Sequence, residues 1–143
     1  MIEDYVKNGH PMIGVQKVER EDVVRYGIVK LREGSNEIED IVEKPTIEEA
    51  PSQLADFGRM ILNQEIIDVL KETSLGKGNE LWIVDAIRTY VKNGGIFLAK
   101  EIEDGEWLTT GDPLNYLKAL LAYAAERKDI GQELKEYTQK LFC

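Results

Sequence analysis

Ile83, Ala86, Ile87, Tyr90 and Val91 fall three and four residues apart, a spacing that gathers them on one face of an α-helix and marks that face as core. Asn79 is expected to cap this helix and Gly94-Gly95 to stop it. A shorter helix is predicted over 64–72 behind the amide of Asn63, and another over 2–7, closed by Asn8-Gly9. Runs of β-branched and aliphatic residues predict strands at 12–18, 27–31 and 38–43, with Glu33-Gly34-Ser35-Asn36 as the turn between the last two, and further strands at 57–62 and 96–99. Pro45 ends the third strand, 46–53 is loop, and 105–108 reads as a short extended piece. Asp112-Pro113 places a carboxylate at a helix cap and a proline in the first turn; Leu114, Leu117, Leu121 and Ala124 then predict a buried stripe. A last amphipathic helix is predicted over 130–141. Strands alternating with helices, without repeat or linker, predict one α/β domain over 1–143.

Composition narrows what such a domain binds. The chain has 143 residues, 43% of them hydrophobic, and no apolar run approaches the roughly 18 to 20 residues of a membrane span. Residues 1–7 carry no pattern of an export signal, so the cytoplasm is the expected compartment, and no membrane is expected as partner. The chain opens inside a helix, which reads as a truncation. With 27 acidic residues against 18 basic ones the net charge is −9, which disfavours nucleic acid as a partner but leaves room for a small anion held by a few cations. The only cysteine, Cys143, is the last residue and is read as an idle thiol; no cluster of thiols or histidines suggests a zinc site.

Catalytic constellations are few. The one histidine, His10, stands beside Pro11 in a loop with nothing spaced to orient it and is read as a surface residue. Gly76-Lys77-Gly78 lacks the preceding strand and following Lys-Ser/Thr of a phosphate loop and is read as a turn between helices. Val42-Glu43-Lys44-Pro45 is more informative, because it sets an acid and a base side by side where a strand ends. Alone, it also fits an edge-strand charge pair stopped by a proline.

The neighbouring segments shift that balance. Tyr26-Gly27-Ile28-Val29 precedes it; Ala50-Pro51-Ser52-Gln53-Leu54-Ala55, Gly58-Arg59-Met60-Ile61-Leu62, Glu80-Leu81-Trp82-Ile83-Val84-Asp85-Ala86-Ile87 and Thr110-Gly111-Asp112-Pro113-Leu114-Asn115-Tyr116-Leu117-Lys118-Ala119 follow. In that order these blocks resemble the C-terminal half of the sugar-nucleotide pyrophosphorylases, most closely the prokaryotic UTP:glucose-1-phosphate uridylyltransferases. The resemblance implies an α/β, partial Rossmann-like nucleotidyltransferase fold, with a mixed sheet, a β-hairpin region and C-terminal helices. It also implies synthesis of UDP-glucose from UTP and glucose 1-phosphate with Mg²⁺ in the complete enzyme. On the matching positions, Gly27 would bring its backbone close to the sugar hydroxyls, Glu43 would accept hydrogen bonds from the glucose ring, Lys44 would hold the sugar phosphate, and Gly58 would let the backbone pass beside the sugar.

Several positions depart from the pattern. Thr109 stands where related enzymes usually carry an aspartate that helps hold the metal, and a neutral hydroxyl is a poor ligand for a hard dication. Trp82 and Val84 replace more polar residues, and Gln53 and Asn79 replace an asparagine and a glycine. The family's N-terminal Gly-x-Gly-Thr-Arg loop, which belongs to the nucleotide-binding half, is absent from this sequence. No complete catalytic set and no cofactor are therefore expected for this chain alone. Three readings remain open: an enzyme half, either a fragment of a full uridylyltransferase or one piece of a split gene completed by a separate N-terminal half; a non-catalytic module binding glucose 1-phosphate or UDP-glucose; or an oligomerisation subunit pairing with itself or a full-length relative. A homo-oligomer is expected.

Overall fold

Five short strands, three of which open on runs of consecutive buried residues, pair into one mixed sheet, ordered β3-β2-β4-β1-β5. In the computed structural model these are β1 (Met12–Lys17), β2 (Gly27–Leu31), β3 (Ile38–Glu43), β4 (Leu54–Ile61) and β5 (Leu98–Glu101). The model describes residues 1–103, 105 and 107–142, with backbone alone at Lys77 and Phe142. The readings that fall on Glu106 and Cys143 lie outside the described residues. The chain packs as two compact units, Met1–Gly105 and Glu106–Cys143.

The first unit holds the sheet. Only β1 and β5 run parallel; the other neighbours are antiparallel. Three helices belong to this unit: α1 (Ile2–Asn8), α2 (Gln64–Glu72) and α3 (Ile83–Lys92). Ile13, Val15, Val29 and Ile41 from the sheet meet Ile66 of α2 and Val84, Ile87 and Tyr90 of α3 in one core. Burying such a side chain contributes about 1.5 to 3 kcal/mol. Arg88 of α3 donates to both carboxylate oxygens of Asp40 on β3, at 2.7 and 2.9 Å, and fixes where the helix lies along the edge strand. The free edge of β5 is bonded too, since Ile38 N–H donates to Phe97 O and Ala99 N–H to Asn36 O, both at 2.8 Å.

The expected elements are present with three shifts. β4 begins at Leu54 rather than Phe57, and β5 begins at Leu98 rather than Ile96 because its ladder is set by the parallel partner β1. Asn79 does not cap α3. Gly78 and Asn79 both have positive φ, 76° and 62°, which a right-handed helix cannot continue through, so they close a short 3-10 turn (Lys77–Asn79) and α3 starts at Ile83. A further 3-10 turn, Arg20–Arg25, had no counterpart in the sequence pattern.

The second unit contains α4 (Pro113–Glu126) and α5 (Gly131–Phe142). Asp112 caps α4, its Oδ1 accepting from Asn115 N–H at 3.0 Å. The predicted buried stripe is not buried: Leu114, Leu117 and Leu121 are 62%, 56% and 47% exposed, and Ala119 is the buried residue of this helix. Leu120 and Tyr116 are exposed as well, so α4 is apolar on several sides, and spacing alone did not reveal which side is covered.

Candidate functional site

The candidate site begins where β3 stops. Glu43 is its last residue and pairs with Gly27 of β2. Lys44 then adopts a left-handed backbone, φ 43°, while its N–H donates to Tyr26 O at 3.0 Å. That conformation costs a non-glycine residue about 1 to 2 kcal/mol. Its effect is to break the strand's alternation, so two adjacent side chains that would otherwise point to opposite faces turn to the same side. Lys44 Nζ lies 3.9 Å from Glu43 Oε1. The same ammonium sits 5.4 Å from the centre of the Trp82 ring, a cation–π distance. Trp82 in turn donates from Nε1 to Glu80 at 3.0 Å.

Gly27 is small for a reason visible in the geometry. A Cβ built on it would lie 3.0 Å from Glu43 Oε2, 3.4 Å from Val84 Cγ2 and 3.8 Å from Asp56 Cβ. The glycine thus makes room for the Glu43 carboxylate between the sheet and the first turn of α3. Gly58 is a glycine for conformation instead, with φ 80° and nothing within 4 Å of a built Cβ. It lies in a bulge of β4, where the residues between Asp56 and Met60 stand against the single residue between Val15 and Ile13 of β1. Gly58 N–H donates to Asp56 Oδ1 at 2.6 Å. Gly27, Glu43 and Lys44 are therefore one cluster, and Gly58 is tied to it through Asp56.

Asp56 was not legible as a site residue. One step beyond the pairs Val29↔Leu54 and Ile28↔Ala55, the register sets Asp56 across from Gly27, on the opposite flank from Glu43. Burial pushes its carboxyl up to about 6, against the pull of the Gly58 N–H. Glu43 is also raised, first by burial and then by the charges of Asp56 and Asp85, while Lys44 opposes the shift. Asp85, on the first turn of α3, is the other acid the sequence did not single out. A Cβ on Gly76 would lie 2.8 Å from Asp85 Oδ2, so Gly76 serves the packing of that turn. The signal that could have found Asp56 is its place as the only acid within an otherwise apolar strand start, Leu54-Ala55-Asp56-Phe57.

Trp82 and Val84, two of the departures from the family pattern, both touch this cluster. Thr109, in the second unit, accepts from Gly111 N–H at 3.5 Å. Among the described residues no three His, Cys, Asp or Glu side chains gather in a way that could hold a metal ion. His10 is half-buried in the link between α1 and β1. Among the described residues no helix is long and apolar enough to cross a membrane.

A family model described as nucleotidyl transferase matches residues 1–126. The chain belongs to the nucleotidyl transferase family. This nucleotidyl transferase chain is 39% identical over 145 aligned residues to a UTP–glucose-1-phosphate uridylyltransferase of Streptococcus pyogenes, covering 99% of this chain and 47% of the relative. A Staphylococcus epidermidis protein of the same name is 35% identical, with 99% and 49% covered. Among solved structures, a UDP-glucose pyrophosphorylase complexed with UDP-glucose matches with a TM-score of 0.79 and 38% identity, over 87% of this chain and 48% of that one. A UTP-bound enzyme of the same kind from Acinetobacter baumannii matches with a TM-score of 0.82 and 31% identity, over 99% and 49%. The mixed-sheet nucleotidyltransferase fold expected from the motifs is borne out, and the chain spans about half the length of the relatives it matches.

Proposed function

We propose that this chain is the sugar-phosphate-binding, C-terminal half of a UTP:glucose-1-phosphate uridylyltransferase, and that Gly27, Glu43, Lys44 and Gly58 receive glucose 1-phosphate. The observation that carries the reading is the left-handed turn at Lys44, which aims a carboxylate and an ammonium from adjacent residues at one place beside a glycine that leaves room. A hexose phosphate needs that combination: hydroxyl donors meet the carboxylate, and the phosphate meets the cation.

Attack of a sugar phosphate on a nucleotide phosphorus brings two anions together, so the protein's part is chiefly placement and charge neutralisation. Lys44 would hold the phosphate by a charge-assisted contact, its ammonium standing at cation–π distance from the Trp82 ring. Glu43 would orient the ring of the sugar. Mg²⁺, in a complete enzyme, would neutralise the triphosphate. Within these 143 residues the expected share of the reaction is binding, without UDP-glucose formation. Addition of glucose 1-phosphate should shift the backbone amide NMR signals of Gly27, Lys44 and Gly58 and leave those of α2 in place; shifts confined to other segments would overturn the assignment.

The second reading, self-association, is favoured by one observation, the exposed leucines of α4. It is compatible with the first.

A further inference from the structure

Glu43, Gly27 and Asp56 lie side by side on three adjacent strands, β3, β2 and β4, in one cross-strand row. Residues in such a row share a face of the sheet. The middle member has no side chain, and the Glu43 carboxylate and Val84 take up the space above it, so the row sets two carboxylates on either side of a glycine. The oxygens of Asp56 differ in occupation. Oδ1 takes the Gly58 N–H at 2.6 Å, and among the described residues nothing donates to Oδ2.

We infer that Asp56 is a specificity-determining residue: with Glu43 it forms a two-carboxylate cradle that selects a neutral hexose phosphate and turns away hexuronic acid phosphates. The inference rests on the reading of Glu43 and Lys44 as the sugar-phosphate site. The chemistry is that of acceptor-only groups. Ionised carboxylates accept hydrogen bonds and donate none, so a hydroxyl facing Asp56 Oδ2 completes a pair, whereas a sugar carboxylate there meets like charge without a donor. Lys44 brings an ammonium to the cluster, Asp85 adds a further acid from α3, and Gly58 N–H donates from the strand of Asp56 itself. One ammonium suits one phosphate.

Two features argue against a purely structural carboxylate. An asparagine Oδ1 would accept the Gly58 N–H equally well, so the bulge does not require a charge. Burial holds the Asp56 carboxyl up at about 6, which means that ionising it in the folded chain works against folding. A carboxylate kept ionised at such a cost beside the Glu43–Lys44 pair is a candidate for recognition.

The test is calorimetric titration of the 143-residue chain at pH 7.5 with glucose 1-phosphate and with glucuronic acid 1-phosphate, for the unaltered protein, Asp56→Asn, Asp56→Ala and Lys44→Ala. The unaltered chain should prefer glucose 1-phosphate by about tenfold or more, the size of a charge-assisted hydrogen bond. Asp56→Asn keeps the Gly58 bond and supplies an N–H donor, so it should lower that preference by about tenfold through weaker glucose 1-phosphate binding and stronger uronate binding. Asp56→Ala should lower the preference without improving the uronate contact. Binding that depends on Lys44 while both Asp56 variants keep the preference unchanged overturns this inference alone. Absence of binding by the unaltered chain, or binding indifferent to Lys44→Ala, overturns the site reading and this inference with it.

Discussion

Two neighbouring positions, Gly27 and Asp56, are constrained by opposite demands, one for space and one for charge. Gly27→Ala would put a methyl 3.0 Å from Glu43 Oε2 and 3.4 Å from Val84 Cγ2, so the flexible carboxylate must give way by a few tenths of an ångström. We expect the fold to lose no more than about 1 to 3 kcal/mol, the usual range for overpacking, and glucose 1-phosphate affinity to fall by about tenfold, the size of a charge-assisted bond. Thermal unfolding and calorimetry on the same sample separate the two effects, and unchanged affinity would contradict the placement. Asp56 makes a prediction in pH. Its folded carboxyl is raised from 3.8 to about 6, so between those values the native chain binds more protons than the unfolded one and stability falls as pH rises, then levels off. At about 1.36 kcal/mol per pH unit the loss has an upper limit of about 3 kcal/mol. Asp56→Asn should therefore be the more stable protein in denaturant titrations at pH 7.5 and lose that advantage near pH 4. An equal difference at both pH values would show that the carboxyl is not raised in the folded chain.

At the scale of elements, the link between α3 and β5 depends on another glycine. A Cβ on Gly95 would lie 2.4 Å from the buried Tyr90 ring, whose hydroxyl donates to Glu65 at 3.2 Å and accepts from Asn63 at 3.4 Å. Gly95→Ala must displace that ring, and we expect a loss of about 1 to 3 kcal/mol by chemical denaturation, the range of overpacked cores; a neutral result would mean that the ring has room. Helix α2 and the hairpin β2–β3 were legible to the residue because each carries local chemistry: the Asn63 amide that accepts Ile66 N–H at 3.1 Å, and the Gly34 turn between two β-branched runs. The start of α3 was not, because Gly78 and Asn79 take left-handed backbones that moved its beginning to Ile83. The adjacency of Glu43 and Lys44 was readable, and so was the end of the strand before Pro45. Asp56 was hidden by the placement of β4. Starting that strand at Phe57 leaves the acid in a loop, and only the observed start at Leu54 puts it in register with Gly27.

At the scale of the whole molecule, the exposed apolar residues of α4 predict association: Leu114, Leu117 and Leu121 in water favour a second copy of this chain. Sedimentation at tens of micromolar, an order of magnitude typical of moderate interfaces, should show species larger than the 16.3 kDa chain; a profile of monomer alone would contradict it. The central claim concerns the corner where β3 ends, and its most direct test separates phosphate from sugar. Glucose 1-phosphate and free glucose should each be titrated into the unaltered chain, Lys44→Ala and Glu43→Ala. The account predicts that Lys44→Ala weakens glucose 1-phosphate by about ten- to a hundredfold, equivalent to a charge-assisted contact of roughly 1.5 to 3 kcal/mol, and leaves free glucose nearly unchanged, whereas Glu43→Ala weakens both. Glucose 1-phosphate binding with the same affinity in all three proteins would contradict it.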